Sequence, residues 1–215
     1  PAAAFRVSKP TPKKRHRLSE ADYSFLRLIS RKTWSFFEDF AGESDNYLPP
    51  DNYQEDPPKG VAHRTSPTNI GLMLISIISA CDMGYISWTG MLEKLDKVIN
   101  TIQKLEKWKG HLYNWYDTIS LEILRPLYVS TVDSGNLVGY MMVLREGMKE
   151  YQNVQVPRPS MALGLKDTFE LAYGQKNTEA CLKIRQQLAG LGKSEGMDLL
   201  KWVSLLDDIR LLYEP

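Results

Sequence analysis

The chain has 215 residues, enough for one substantial core or two small ones, and its 43% hydrophobic and 10% aromatic content is that of a globular protein. The net charge of +1 hides an asymmetry: residues 1–17 carry six bases (Arg6, Lys9, Lys13, Lys14, Arg15, Arg17) and no acid, which leaves residues 18–215 at a net −5 and argues against a nucleic-acid partner. Cys81 and Cys181, with no CxxC spacing, exclude a disulfide scaffold and a cysteine-rich zinc site. No apolar run reaches the ~18 residues of a membrane helix, and no apolar segment follows the basic N-terminal stretch as in a signal peptide. The body is therefore expected to be soluble, in a reducing compartment, without membrane contact of its own.

Residues 1–18 read as a basic, proline-containing linker or arm, and residues 19–215 as a helical domain. Ser19 followed by Asp22 predicts a helix start with a reciprocal cap. Phe25, Leu26, Leu28, Ile29, Trp34, Phe36, Phe37 and Phe40 then cover so wide a face that this helix is expected to be well buried. Residues 43–65, with four prolines and several acids, form a long loop that Tyr47, Leu48 and Tyr53 mark as ordered. Ser66-Pro67 predicts the next helix start, and Gly84 its end after Met83. That helix is apolar nearly all round, so it is central. The following one, about 89–107, alternates Leu92, Leu95, Ile99, Ile102 and Leu105 with charges and is an outer helix.

A second long connection, 108–133, is rich in Trp, Tyr and His. Ser134 is expected to cap another inner-type helix, in which Gly135 and Gly139 would permit close helix approach. After a proline-containing turn at 152–160, helices are expected at about 161–173, 177–189 and 195–213, separated by Gly174, Gly190 and Gly192. No convincing strand pair is present, so the class is all-α.

Three segments are polar and aromatic where inner helices begin or end: 63–69, 110–117 and 128–136. A sugar site needs flat aromatic faces for pyranose rings, and amides, carboxylates and guanidinium groups for hydroxyls. These segments hold Tyr113, Trp115, Tyr116 and Tyr128, with Arg64, Asn69, Asn114, Asn136, Asp117 and Asp133. A purely structural use competes with this: Ser66 and Ser134 as caps, Asp117 and Asp133 bonded to backbone amides, Arg64 paired with one of them. Trp108 and Trp202, on amphipathic stretches, are expected in the core. His63 and His111 are too isolated for a metal site, and neither a GxSxG elbow nor a glycine-rich phosphate loop occurs. No cofactor is expected.

The run from Tyr47 to about Leu144 resembles the glycoamylase-like domain inside the cyclic beta-1,2-glucan synthases, large membrane-embedded bacterial enzymes. The matching strings are HRTSPTNIGLMLIS at 63–76, KGHLYNWYDT at 109–118 and YVSTVDSGNL at 128–137. The resemblance implies an (α/α) toroid of six hairpins, with the site at the loops leading into the inner helices and a beta-1,2-glucan oligosaccharide as ligand. It implies ring closure by retaining transglycosylation, with glutamates as acid/base and nucleophile. It also implies a place on the cytoplasmic side of the bacterial inner membrane, with the rest of the synthase as partner. About seven helices fill only half such a toroid, so the chain is expected to be its N-terminal part, with the catalytic glutamates outside it. Trp115 and Tyr116 would stack on glucose rings, and Arg64, Asn69, Asn114 and Asn136 would bond hydroxyls. Asp117 and Asp133 would orient them, with Thr65, Tyr113 and Ser134 alongside. Two alternatives stay open: a stand-alone glycoside hydrolase using two of Asp51, Asp117 and Asp133, and a non-enzymatic helical interaction module. The glucan-binding expectation requires the three segments to meet in one cleft.

Overall fold

A computed structural model describes residues 18–152, 158–174, 176–191 and 199–213. The basic arm at 1–17 and the segments around Gly192 and 153–157 lie outside the described residues. Seven helices are described: α1 (Glu20–Phe40), α2 (Pro67–Asp82), α3 (Trp88–Lys104), α4 (Thr131–Tyr151), α5 (Pro159–Tyr173), α6 (Glu179–Leu191) and α7 (Leu199–Tyr213). Between them lie six two-residue strands in three antiparallel pairs: β1 (Tyr53–Gln54) with β2 (Gly60–Val61), β3 (Arg64–Thr65) with β6 (Tyr116–Asp117), and β4 (Lys107–Trp108) with β5 (His111–Leu112). The fold is all-α, and the short pairs, which the sequence reading did not anticipate, staple its two long connections.

The capping chemistry sets the helix starts. Ser19 and Asp22 form the reciprocal capping box. The Ser66 hydroxyl accepts from the Asn69 amide, with Pro67 in the first turn, where its missing N–H costs nothing. The third start differs from expectation: α4 begins at Thr131, capped by Ser130, whose hydroxyl accepts from the Asp133 amide. Ser134 sits inside the first turn, and its Oγ is enclosed with no hydrogen-bond partner among the described residues.

α2 is the centre of the molecule. Nine of its sixteen residues are buried, among them Ile70, Met73, Leu74, Ile77 and Ile78, each such burial worth roughly 1.5–3 kcal/mol. It packs against α4, α3 and α1. α3 turns Met91, Leu95 and Val98 inward and keeps its charges outside, but the buried stripe is shifted from the expected one: Leu92 and Ile99 are exposed. Inner α2 and outer α3 thus form the hairpin expected of a helical toroid. Beyond α1, α5 leads to α6 and α7, whose own small core holds Phe169, Cys181, Ile184 and Leu188.

Two expectations fail for physical reasons. α1 is not well buried: Phe25, Leu26 and Ile29 are exposed, and its buried positions are Arg27, Arg31 and Trp34. The arginines are held by polar partners. Arg27 Nη2 meets Asp167 at 2.7 Å and donates to the Met83 carbonyl at 3.1 Å, while Arg31 Nε donates to the Thr168 hydroxyl at 2.9 Å. Tyr85 lies against this pair, and burial pushes its phenol up to about 12.

The second failure concerns the glycines of α4. A Cβ at Gly135 or Gly139 would meet nothing within 4 Å. Close approach occurs at Gly71 of α2, which receives the Tyr140 ring of α4, and at Gly84, whose backbone touches the first turns of α5. The rest of α4 is largely uncovered, with Val132, Val138, Met141, Met142 and Val143 exposed.

These two glycines predict opposite outcomes. Gly84 has φ +79°, and a Cβ there would lie 2.1 Å from the Ser160 carbonyl oxygen. Gly84→Ala is expected to lose at least about 2 kcal/mol of stability, whereas Gly139→Ala is expected to gain up to about 1 kcal/mol from helix propensity. Urea denaturation of the two variants checks both signs.

Candidate functional site

The three singled-out segments meet. The β3–β6 ladder pairs Arg64 with Asp117 and Thr65 with Tyr116, joining the first segment to the second. The Asn114 amide N–H donates to the Tyr128 carbonyl at 2.9 Å, joining the second to the third. The Thr68 hydroxyl donates to Asp133 Oδ1 at 2.7 Å, tying the start of α2 to the start of α4. Asn136 Nδ2 donates back to Thr68 Oγ1 at 3.2 Å.

Asn114, buried, stands at the crossing. With its amide oriented to satisfy both ends, Nδ2 donates to Asp133 Oδ2 at 3.1 Å. Its oxygen then accepts from the Tyr128 hydroxyl at 2.6 Å and from Trp115 Nε1 at 2.8 Å. The indole edge of Trp115 is thereby fixed, and the Arg64 guanidinium covers one ring face, 4.8 Å from the centroid. Arg64 is held in turn by Asp51, from Nε at 3.1 Å and Nη2 at 2.8 Å onto one oxygen. Asn69 Nδ2 donates to the other oxygen of Asp51 at 3.2 Å. Arg64, Asn69, Asn114, Trp115, Asp133 and Asn136 therefore form one network, with Asp51 and Thr68 as its second line of support.

Other candidates are placed elsewhere. Tyr116 is fully buried: its hydroxyl accepts from the Tyr113 amide at 2.7 Å and donates to the Glu106 carbonyl at 2.6 Å, and desolvation pushes it up to about 12. A ring in that position has no face to offer a ligand. Thr65 is equally buried, its hydroxyl without a partner among the described residues. Asp117 Oδ1 accepts from the Ser120 amide at 2.8 Å and the Ile119 amide at 2.9 Å, and the Ser120 bond chiefly holds its carboxyl below the usual range. Asp117 is the anchor of a local turn. Ser134 takes no part in the network.

Trp108 is a correction in the other direction. It was expected in the core, as Trp202 is, yet it is 50% exposed. The signal that could have found it is Lys109-Gly110, a two-residue turn that makes the flanking residues a hairpin and sends their side chains to alternate faces. His63 belongs to a supporting cluster: its Nδ1 lies 2.7 Å from Asp45 Oδ1, and the same buried oxygen accepts from the Thr118 hydroxyl. Asp45 thus ties the 43–65 loop to the 108–133 connection. No group of three metal-ligating side chains occurs among the described residues.

Asp133→Ala removes two acceptors and strands the Thr68 hydroxyl and the Asn114 amide. It is expected to cost roughly 2–3 kcal/mol in urea denaturation, and Asp133→Asn, which keeps one acceptor, about half as much. For Asp117 the sign follows from its lowered pKa. Its charge adds stability above the ordinary carboxylate range near 3.9, and that contribution is lost as pH falls through the lower folded value. The stability gap between wild type and Asp117→Ala is expected to be constant from pH 7 to 5 and to narrow below about pH 4, as denaturation at a series of pH values would show.

No family profile matches the chain. Over 152 residues, 70% of its length, it is 43% identical to the cyclic beta-(1,2)-glucan synthase NdvB of Rhizobium meliloti (strain 1021), and it spans 5% of that relative. It is also similar to a protein of Bacteroides fragilis NCTC 9343 assigned as a glucoamylase, at TM-score 0.43 and 19% identity, over 85% of this chain and 37% of that one. No described helix is long and apolar enough to cross a membrane. By sequence, then, the chain is similar to one short segment of a cyclic beta-1,2-glucan synthase, a far longer protein.

Proposed function

We propose that this chain is a glucan-binding wall of a cyclic beta-1,2-glucan synthase, holding the polymer while glutamates outside the chain transfer and close it by retaining transglycosylation. The observation that carries this is the convergence of Arg64, Asn69, Asn114, Trp115, Asp133 and Asn136, drawn from three separated segments, at the starts of two helices. Kinship with the synthase NdvB supports the polymer class. A pyranose ring takes the face of Trp115 opposite Arg64, with Tyr113 beside it. The amides of Asn69 and Asn136 and the guanidinium of Arg64 supply donors in the fixed geometry that vicinal hydroxyls need.

The acids serve position here. Asp51 and Asp133 each accept on both oxygens, and Asp117 is committed to its turn. Groups so engaged orient hydroxyl-bonding side chains better than they protonate a glycosidic oxygen. The remainder of the synthase is the partner of this chain, and the inner-membrane, cytoplasmic-side location follows from that partnership.

Calorimetric titration of linear beta-1,2-gluco-oligosaccharide into the chain tests the proposal. Wild type is expected to bind with a Kd between about 10 μM and 1 mM, and Trp115→Ala to weaken it at least about tenfold, a loss of 1.4 kcal/mol. Wild type that binds no beta-1,2-glucan, or binds it equally well without the Trp115 ring, overturns the proposal.

A further inference from the structure

Trp108 stands at the end of a strand held unusually firmly. β4 and β5 pair Lys107 with Leu112 and Trp108 with His111, and Lys109 (φ 48°) and Gly110 (φ 87°) close the turn. Two successive positive φ values are the tight hairpin turn whose twist matches the strands. The hairpin is lashed to the end of α3 by Lys107, whose ammonium donates to the carbonyls of Ile102 at 2.7 Å, Leu105 at 2.8 Å and Gln103 at 3.1 Å. These carbonyls have no amide of their own at a helix terminus, and a cation there is favoured. The result is a large aromatic ring, half exposed, on a rigid mount.

The ring borders two adjoining hollows. One, of about 390 Å³, lies between Trp108, Tyr113, Tyr128 and Val129. The other, of about 490 Å³, lies between Trp108, His111, Val129 and the first turns of α4. Both fall in the range of small-ligand pockets. They share Trp108 and Val129 as a common border, a groove in two parts. Tyr128 also binds Asn114, which fixes Trp115, so the groove begins where the polar network ends. Its lining is aromatic and apolar with hydroxyl and imidazole groups at the margin, which suits the apolar face of a sugar ring and the hydroxyls at its edge.

We propose that Trp108 is a second stacking platform, holding a glucosyl unit further along the chain than the one at Trp115. This rests on the glucan-binding function proposed above. An indole on a fixed backbone mount has less freedom to lose on binding, which matters for a repeating ligand held by many small contacts.

The test compares beta-1,2-linked gluco-disaccharide with the hexasaccharide on wild type, Trp108→Ala, Trp108→Phe and Trp115→Ala, by calorimetry on the full chain. Trp108→Ala is expected to weaken the hexasaccharide about tenfold or more and to leave the disaccharide within about twofold. Trp108→Phe recovers most of the loss, and Trp115→Ala weakens both ligands. Trp108 is half exposed, so unchanged thermal melting of its variants is expected and separates lost binding from lost fold. An effect of Trp108→Ala that is absent, or equal for the two lengths, overturns the second platform while leaving the first. Wild type that binds neither ligand overturns the function and the platform together.

Discussion

One carboxylate holds the candidate site together. Asp133 accepts the Thr68 hydroxyl on one oxygen and the Asn114 amide on the other, and through them it joins the starts of α2 and α4 to the long connection between α3 and α4. Without it the two helix starts would be joined only by the Asn136–Thr68 hydrogen bond and by packing further down, where Tyr140 settles on Gly71 and Ile78 on Gly147. Packing of that kind sets the distance between helices. The hydrogen bonds at the top set the orientation of the side chains, and a sugar site depends on orientation.

The rest of the network is a set of clamps with one purpose. Asp51 reaches from a different loop to hold Arg64 and Asn69, and Asn114 holds the edge of Trp115 while Arg64 covers its face. Each clamp removes rotamer freedom that a ligand would otherwise have to remove on binding. The same logic applies to Lys107 beneath the β4–β5 hairpin. The acids here act on their neighbours, and their hydrogen bonds are already filled by those neighbours.

Much of this was legible in the sequence. Caps at Ser19 and Ser66 and the apolar character of α2 are local signals, and the helices follow them, whereas the stripe of α3 turns Met91 and Val98 inward in place of Leu92 and Ile99. The convergence of the three segments was legible as a requirement, because polar aromatic strings at the starts of inner helices have one place to meet. Roles that depend on long-range partners were not legible. Tyr116 and Trp115 are neighbours with the same local composition, and only the β3–β6 ladder decides that one is fully buried and the other half-buried. The burial of Arg27 and Arg31 has no local signal, because their partners Asp167 and Thr168 come from α5. Gly135 and Gly139 read as contact points because small residues often are, yet the notch is on the partner helix at Gly71. Trp108 was misjudged because a two-residue strand is too short to show a period.

The buried Asp45 carboxylate has a consequence for the order of folding. It is shared by His63 and Thr118, residues on the two long connections, and Thr118 is 73 positions away from it along the chain. The α2–α3 hairpin can form from contacts close in sequence, but this anchor closes only after both connections have come together. The β1–β2 and β4–β5 pairs are local to one connection each, but the contacts between the two connections close together. A chain that stalls short of this step would keep its helices and lack its site: helical by circular dichroism, but with no organised groove.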